Sequence, residues 1–237
     1  MSGTLDPRPS GIVIAVVGAE STGKTTLVAE LAAAIPRVTG LACAGVDEWL
    51  RLWCDREGRT PRPEEQAAIC AEQAARIARA ASGHPIVVAD TTPLMTALYS
   101  SLLFGDESLR DEALRWHRAH CDLTLLTALD LPWVADGHQR DGEHVRAPVD
   151  TLLRRWLGEA GIGWSLVAGH GPQRVQAALD ATTALLRRRA RTGSGLFTRL
   201  AEREAQREAA LNPGGADWVC ADCDDPACEH RLRRTTA

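Results

Sequence analysis

Short unbroken apolar runs alternate along the chain with longer segments whose apolar residues recur at helical spacing. Ile12 to Val17, Pro85 to Ala89, Leu123 to Leu129 and Trp164 to Ala168 are runs without polar alternation, the pattern of strands covered on both faces. Pro36 and Gly40 punctuate the first helical segment, and Arg37 to Val46 then reads as a further short strand with a break. The intervening spacing predicts helices over Leu27 to Ile35, Asp47 to Trp53, Pro63 to Gly83 and Thr91 to Phe104. It also predicts a surface helix over Glu107 to His120, and helices over Val149 to Ala160 and Gln173 to Arg189. Arg56 to Arg62 is expected to be a loop, broken by Gly58 and Pro61. Strands separated by helices make an α/β chain with a mostly parallel sheet between helical layers. In such sheets ligands lie beyond the carboxyl ends of the strands. That rule lines up residues 18–26, Asp47 and Glu48, Asp90, the segment Asp130 to Pro148 and the turn at Gly169 along one edge.

The first of these stretches is Gly18-Ala-Glu-Ser-Thr-Gly-Lys-Thr-Thr26, lying between an apolar run and a helical segment. Gly18, Gly23, Lys24 and Thr25 meet the pattern G-x-x-x-x-G-K-[ST] in the strand–turn–helix setting that gives it meaning. Glycines let the backbone wrap a phosphate without Cβ clashes, and N–H groups converge on it at a helix N-terminus. Gly18, Glu20, Ser21, Thr22, Gly23, Lys24, Thr25 and Thr26 are therefore the candidate nucleotide-binding residues. In this pattern Lys24 reaches the β- and γ-phosphates and the Thr25 hydroxyl ligates Mg²⁺. Lys24 is also the only lysine in the chain; every other basic side chain apart from histidine is arginine. A compact ammonium is kept where a planar guanidinium would not fit between phosphates. The fold expectation is a P-loop NTPase three-layer sandwich, followed by a C-terminal helix and a small Cys-rich tail.

Composition narrows the setting. A net charge of −4 argues against a general nucleic-acid coat, and no apolar run is long enough to span a bilayer. The polar N-terminal residues 1–10, with Pro7 and Pro9, are expected to be disordered and do not read as a signal peptide. A cytoplasmic location is the expectation. Cys43, Cys54, Cys70 and Cys121 are expected to be reduced thiols in or near the core.

Beyond the P-loop, Asp90 ends a buried strand, where a carboxylate can hold Mg²⁺ or accept a hydroxyl proton; it can equally cap the helix that follows. Asp47 and Glu48 follow the second strand, where a general base could face an acceptor hydroxyl or where acids merely favour a helix start. Arg51, one turn on, could hold the Glu48 carboxylate or a substrate group. Residues 131–146 form a long, polar, irregular stretch of the kind that makes lids. Within it Arg140 and Arg146 could bring positive charge to a transferring phosphoryl group, and Trp133 could stack on an aromatic ring.

With these residues in view, the chain resembles the ribosylnicotinamide kinase half of the bifunctional adenylyltransferase/kinase proteins of NAD salvage, within a wider AAA-type, P-loop ATPase-like group. Four segments carry the resemblance in order: Gly18 to Thr26; Glu48-Trp-Leu-Arg51, similar to that group's E-Y-A-R; Val88-Ala-Asp-Thr91; and Pro132-Trp-Val-Ala-Asp-Gly137, similar to its P-W-x-x-D-G. It spans about Ile12 to Leu186 and includes no nucleotidyltransferase half. Trp49 stands where the family has tyrosine, and Arg140 falls one residue later than the family's arginine. The resemblance implies ATP phosphates on Gly23, Lys24 and Thr25, and Mg²⁺ on Thr25 with Asp90. It further implies substrate contacts from Glu48, Arg51 and Trp133, and lid charges from Asp136 and Arg140.

The expected organisation is a kinase-like domain over residues 11–190, a linker and helix over 191–217, and a Cys-rich tail over 218–237. In the tail, Cys220, Cys223, Cys228 and His230 could complete a tetrahedral zinc site, although the C-x-H half is tighter than usual finger spacing. The expected activity is ATP- and Mg²⁺-dependent phosphoryl transfer to a small nucleoside-like acceptor such as nicotinamide riboside. The alternative is a nucleotide-dependent regulatory module whose tail recruits a protein partner.

Overall fold

The apolar runs pair into one five-stranded, wholly parallel sheet of order β2-β3-β1-β4-β5. Its strands are β1 (Ile12–Val17), β2 (Cys43–Val46), β3 (Ile86–Asp90), β4 (Leu123–Thr127) and β5 (Ser165–Val167). The computed structural model describes residues 10–134, 143–191 and 207. Among them the helices are α1 (Lys24–Thr39), α2 (Trp49–Glu57), α3 (Gln66–Gly83), α4 (Pro93–Phe104), α5 (Arg110–His120), α6 (Arg146–Glu159) and α7 (Pro172–Arg191).

β1 is buried along its whole length and sits at the centre, paired with β3 on one side and β4 on the other. On one face, Ala15, Val17 and Leu126 pack with Leu94, Leu98, Leu153 and Trp156 of α4 and α6. Val13, Val46, Val87 and Ala89 continue that face under Ile77 and Ala81 of α3. The opposite face meets α1. A Cβ on Gly45, the neighbour of Val46, would lie 3.5 Å from Val28 and 3.7 Å from Ala32. Helices on both faces of a parallel sheet give the three-layer α/β architecture expected of a P-loop kinase fold.

The structure moves several expected boundaries. α1 does not stop at Pro36 but runs on to Thr39, and β2 is only Cys43–Val46. Pro36 removes one donor in the last turn. That loss is offset by the buried contacts of Ile35 and Thr39, and the Pro36 carbonyl accepts the Gly40 N–H at 2.8 Å. α2 extends to Glu57, into the segment read as a loop, and Gly58 at φ 66° ends it. α6 starts at Arg146, with Pro148 in its first turn, where a missing N–H costs nothing. α5 is less of a surface helix than its charges suggest, because His117 and His120 are buried.

Cys43, Cys54, Cys70 and Cys121 are free thiols; burial pushes Cys43 up to about 11 and Cys70 up to about 12. No helix among the described residues is long and apolar enough to cross a membrane. The chain divides into two compact units between Leu186 and Arg187, a few residues before the boundary expected at 190. The expected N-terminal segment, apart from Ser10, the C-terminal helix, apart from Arg207, and the Cys-rich tail with its candidate zinc ligands lie outside the described residues.

Candidate functional site

β1 and β3 are neighbours, yet the chain leaves them for strands on opposite sides of β1: β1 leads to β2 and β3 leads to β4. Their carboxyl ends therefore form the topological switch point of the sheet, where ligands of such folds bind. The turn after β1 is built for close packing. A Cβ on Gly18 would fall 2.1 Å from Thr127 Oγ1, and a Cβ on Gly23, at φ 73°, would fall 2.9 Å from Leu131 Cδ1. Thr22 and Thr127 hydroxyls lie 2.7 Å apart beneath the turn, within reach of the Ala19 and Val17 carbonyls. Gly23 is the N-cap of α1 and offers no side-chain cap, so the first-turn N–H groups remain available to an anion. Ser21 to Thr26 line a cleft of about 550 Å³ together with Arg51, Leu131, Pro132 and Val134.

Three charged side chains meet at this switch point. The Lys24 ammonium donates to Ala19 O at 2.7 Å and has Glu48 and Asp90 as its nearest opposite charges. Thr25 Oγ1 donates to Asp90 Oδ2 at 2.5 Å, while the buried Asp90 Oδ1 has no hydrogen-bond partner among the described residues. Glu48 keeps only 13% of its side-chain exposure and lies 3.8 Å from Arg51 Nε. Burial raises the pKa of both Glu48 and Asp90, and the positive charge of Lys24 acts against that rise. Burial likewise lowers Lys24, against the pull of the two carboxylates. The turn after Asp90 places Thr91 at φ 65°, an uncommon conformation for a β-branched residue, and the cluster stands beside it.

Most residues singled out from the sequence converge here. Gly23, Lys24, Thr25 and Arg51 line the cleft, Glu48 and Asp90 supply the opposite charges on Lys24 with a smaller one from Glu20, and Gly18 packs against Thr127. Asp90 does not cap α4: Thr92 is the N-cap, and the Asp90 carboxylate turns to Thr25. The acidic pair after β2 separates, with Asp47 exposed and Glu48 turned inward. Trp49 has Arg76 over its ring at 4.0 Å and Arg56 at 5.4 Å, so its faces are engaged by the protein's own cations.

In the segment expected as a lid, residues 131–134 fold against the P-loop. The Ser21 hydroxyl donates to Val134 O at 2.7 Å, and Trp133 beside it is half-buried. Arg146 departs from the expected swinging charge: it is the buried first residue of α6, and its guanidinium donates to Leu131 O at 2.9 Å. Asp136 and Arg140 lie outside the described residues.

Sequence reading missed Arg174. This buried residue donates to Thr22 O at 2.7 Å, to Asp130 Oδ1 at 2.8 Å and to Gly169 O at 3.0 Å. It ties the P-loop backbone to the ends of β4 and β5. The one available signal was its position just after the Gly169 turn on the ligand edge.

Comparisons with known proteins agree with this fold. The chain is similar to a solved structure of NadR protein in complex with NR, at 22% identity and a TM-score of 0.60, over 73% of this chain and 52% of that one. It is similar to NadR protein in complex with NAD and AMP-PNP at the same identity and TM-score, over 74% of this chain and 49% of that one. The chain thus spans about half the length of these NadR structures. A thymidylate kinase from Ehrlichia chaffeensis matches at 15% identity and a TM-score of 0.53, over 75% of this chain and 100% of that one. Likeness at these identities speaks for the fold. No curated protein matches the chain. The family model described as AAA domain matches residues 13–174, from β1 to the arginine that braces the P-loop, and by this match over more than half its length the chain belongs to that family.

Proposed function

We propose that the protein is an ATP- and Mg²⁺-dependent kinase that phosphorylates a hydroxyl of a small nucleoside-like acceptor, with nicotinamide riboside the first acceptor to test. One observation carries the reading: the P-loop lysine and threonine meet two carboxylates, the buried Asp90 and the largely covered Glu48, at the switch point of the sheet. The second acid, Glu48, stands where a general base for an acceptor hydroxyl is needed. The structural relatives support the acceptor class, since one NadR structure holds NR and another holds NAD with AMP-PNP.

In this reading the uncapped start of α1 and the Lys24 ammonium hold the donor's phosphates, and Arg51 lies across the cleft. Thr25 Oγ1 and Asp90 fit a hard cation: they are adjacent oxygen donors, and one Asp90 oxygen is buried without a partner. When bound there, Mg²⁺ would neutralise charge on the phosphates. Glu48 is the general base. Burial raises its pKa and so makes it a better proton acceptor than an exposed glutamate, while the charges of Lys24 and Arg51 act against that rise. The acceptor oxygen forms a bond to the γ-phosphorus as the bond to the β,γ-bridging oxygen breaks. ADP leaves, and the acceptor proton passes to Glu48. Positioning and charge do most of the work in such transfers.

The test is ADP release from ATP with a panel of nucleosides, nicotinamide riboside included. Turnover that requires one acceptor supports the proposal; acceptor-independent turnover, or binding without turnover, contradicts it.

A further inference from the structure

The buried face of α3 repeats at four-residue steps: Ile77 and Ala81 pack on the sheet, Ile69 packs on Trp53 and Cys54 of α2, and the position between Ile69 and Ile77 is a glutamine. Gln73 is 2% exposed. A buried carboxamide is tolerable only if its donor and acceptor are both used. Here the two ends are used by different turns. Oε1 accepts the Trp49 N–H at 2.7 Å, and Nε2 donates to Asp90 O and Thr91 O, each at 3.4 Å. The reverse orientation of the amide would set donor against donor and acceptor against acceptor, so these partners fix it.

Trp49 is the first residue of α2, and Glu48 is its N-cap, without a side-chain cap bond. Gln73 satisfies the first N–H of α2 from outside the helix. The Glu48 carboxylate makes no cap bond of its own and lies toward Lys24 and Arg51. The other end of the same side chain holds the strained turn that presents Asp90. Two neighbours on α3 reinforce the arrangement. The Cys70 thiol donates to Pro93 O at 3.5 Å, and the Arg76 guanidinium lies 4.0 Å over the Trp49 ring.

From this juxtaposition, and resting on the kinase reading above, we infer that Gln73 is a positioning residue: its carboxamide sets the distance between Glu48 and Asp90 around Lys24. The Lys24 ammonium is anchored to Ala19 O, away from α3. Loss of the brace should therefore misplace the carboxylates while leaving the phosphate cradle intact.

The experiment compares the full chain with Gln73→Met, which keeps length and volume, and with Gln73→Leu. Three quantities are measured: the urea midpoint, the Kd for AMP-PNP without metal (in EDTA), and kcat and KM with nicotinamide riboside. A kcat reduced by about tenfold or more is expected, the scale of a misplaced reacting group, with nucleotide Kd and acceptor KM within about twofold of wild type. An unchanged kcat in both variants overturns the inference. A parallel fall in urea midpoint, nucleotide affinity and kcat also overturns it, because that pattern is loss of packing. If wild-type protein shows no acceptor-dependent turnover, it is the kinase reading that fails. The brace is then judged from amide hydrogen exchange at Trp49, whose N–H Gln73 accepts: faster exchange in Gln73→Met at an unchanged urea midpoint supports it, and unchanged exchange overturns it.

Discussion

Lys24 holds its ammonium 2.7 Å from Ala19 O and has the carboxylates of Asp90 and Glu48 as opposite charges, a setting that suits a point charge. Lys24→Arg keeps the charge but spreads it over a wider plane. It should lower kcat by about a hundredfold, close to the loss in Lys24→Ala, as kinetics on both variants will show. His117 offers a second residue-scale check. It lies wholly buried between Thr92 Oγ1 at 3.0 Å and Thr124 Oγ1 at 2.8 Å, and burial lowers its pKa from 6.5 to about 4. The unfolded chain takes up this proton first, so the stability contributed by the neutral ring is complete above pH 6.5 and is lost as pH falls toward 4. The loss should approach about 3 kcal/mol at the acid end. Urea midpoints measured across that range should flatten in His117→Gln; an unaltered slope would contradict this assignment. Lys24, Thr25 and Asp90 were legible in the sequence because they fall within or at the end of patterned runs. His117, Gln73 and Arg174 were not. Each is a lone polar residue in a helical stripe, and its partners are set by tertiary contact, as far as 152 residues away for Arg174 and Thr22.

At the scale of elements, apolar runs located β1, β3 and β4, because a strand buried on both faces has no polar alternation to confuse it. The edge strand β2, by contrast, reads as starting at Arg37 and starts at Cys43. Helix ends were less legible. Pro36 reads as a stop, yet packing of Ile35 and Thr39 carries α1 past it. Arg146 reads as a loop charge, yet its guanidinium satisfies Leu131 O and lets α6 begin three residues early. The join between α7 and the P-loop is the element-scale feature most open to test. Arg174 is 5% exposed and donates to three separate segments. Arg174→Ala would leave Asp130 Oδ1 and the Thr22 carbonyl without their donor, with the Gly169 N–H still bonded to the other Asp130 oxygen. Denaturant unfolding should show a loss of about 3 kcal/mol, and calorimetry a weaker Kd for Mg·AMP-PNP. Stability and affinity both unchanged would show that the guanidinium is not what holds the turn.

For the molecule as a whole, strand order turns local motifs into a site. The sheet order β2-β3-β1-β4-β5 sets the ends of β1 and β3 side by side, and only then do the P-loop and Asp90, 65 residues apart, come within a hydrogen bond. The α/β class, the parallel sheet and the ligand edge were readable from the alternation of runs and helices. The strand order, the inward turn of Glu48 and the braces behind it were not, because no local pattern encodes which strands become neighbours. Kinase chemistry is the central claim, and transfer of the phosphoryl group itself tests it most directly. Wild-type protein and Lys24→Ala are incubated with γ-³²P-labelled ATP, Mg²⁺ and nicotinamide riboside, and the label is followed. The account predicts label on the nucleoside with wild-type protein and none with Lys24→Ala. Label released only as inorganic phosphate, whatever nucleoside is supplied, would contradict it.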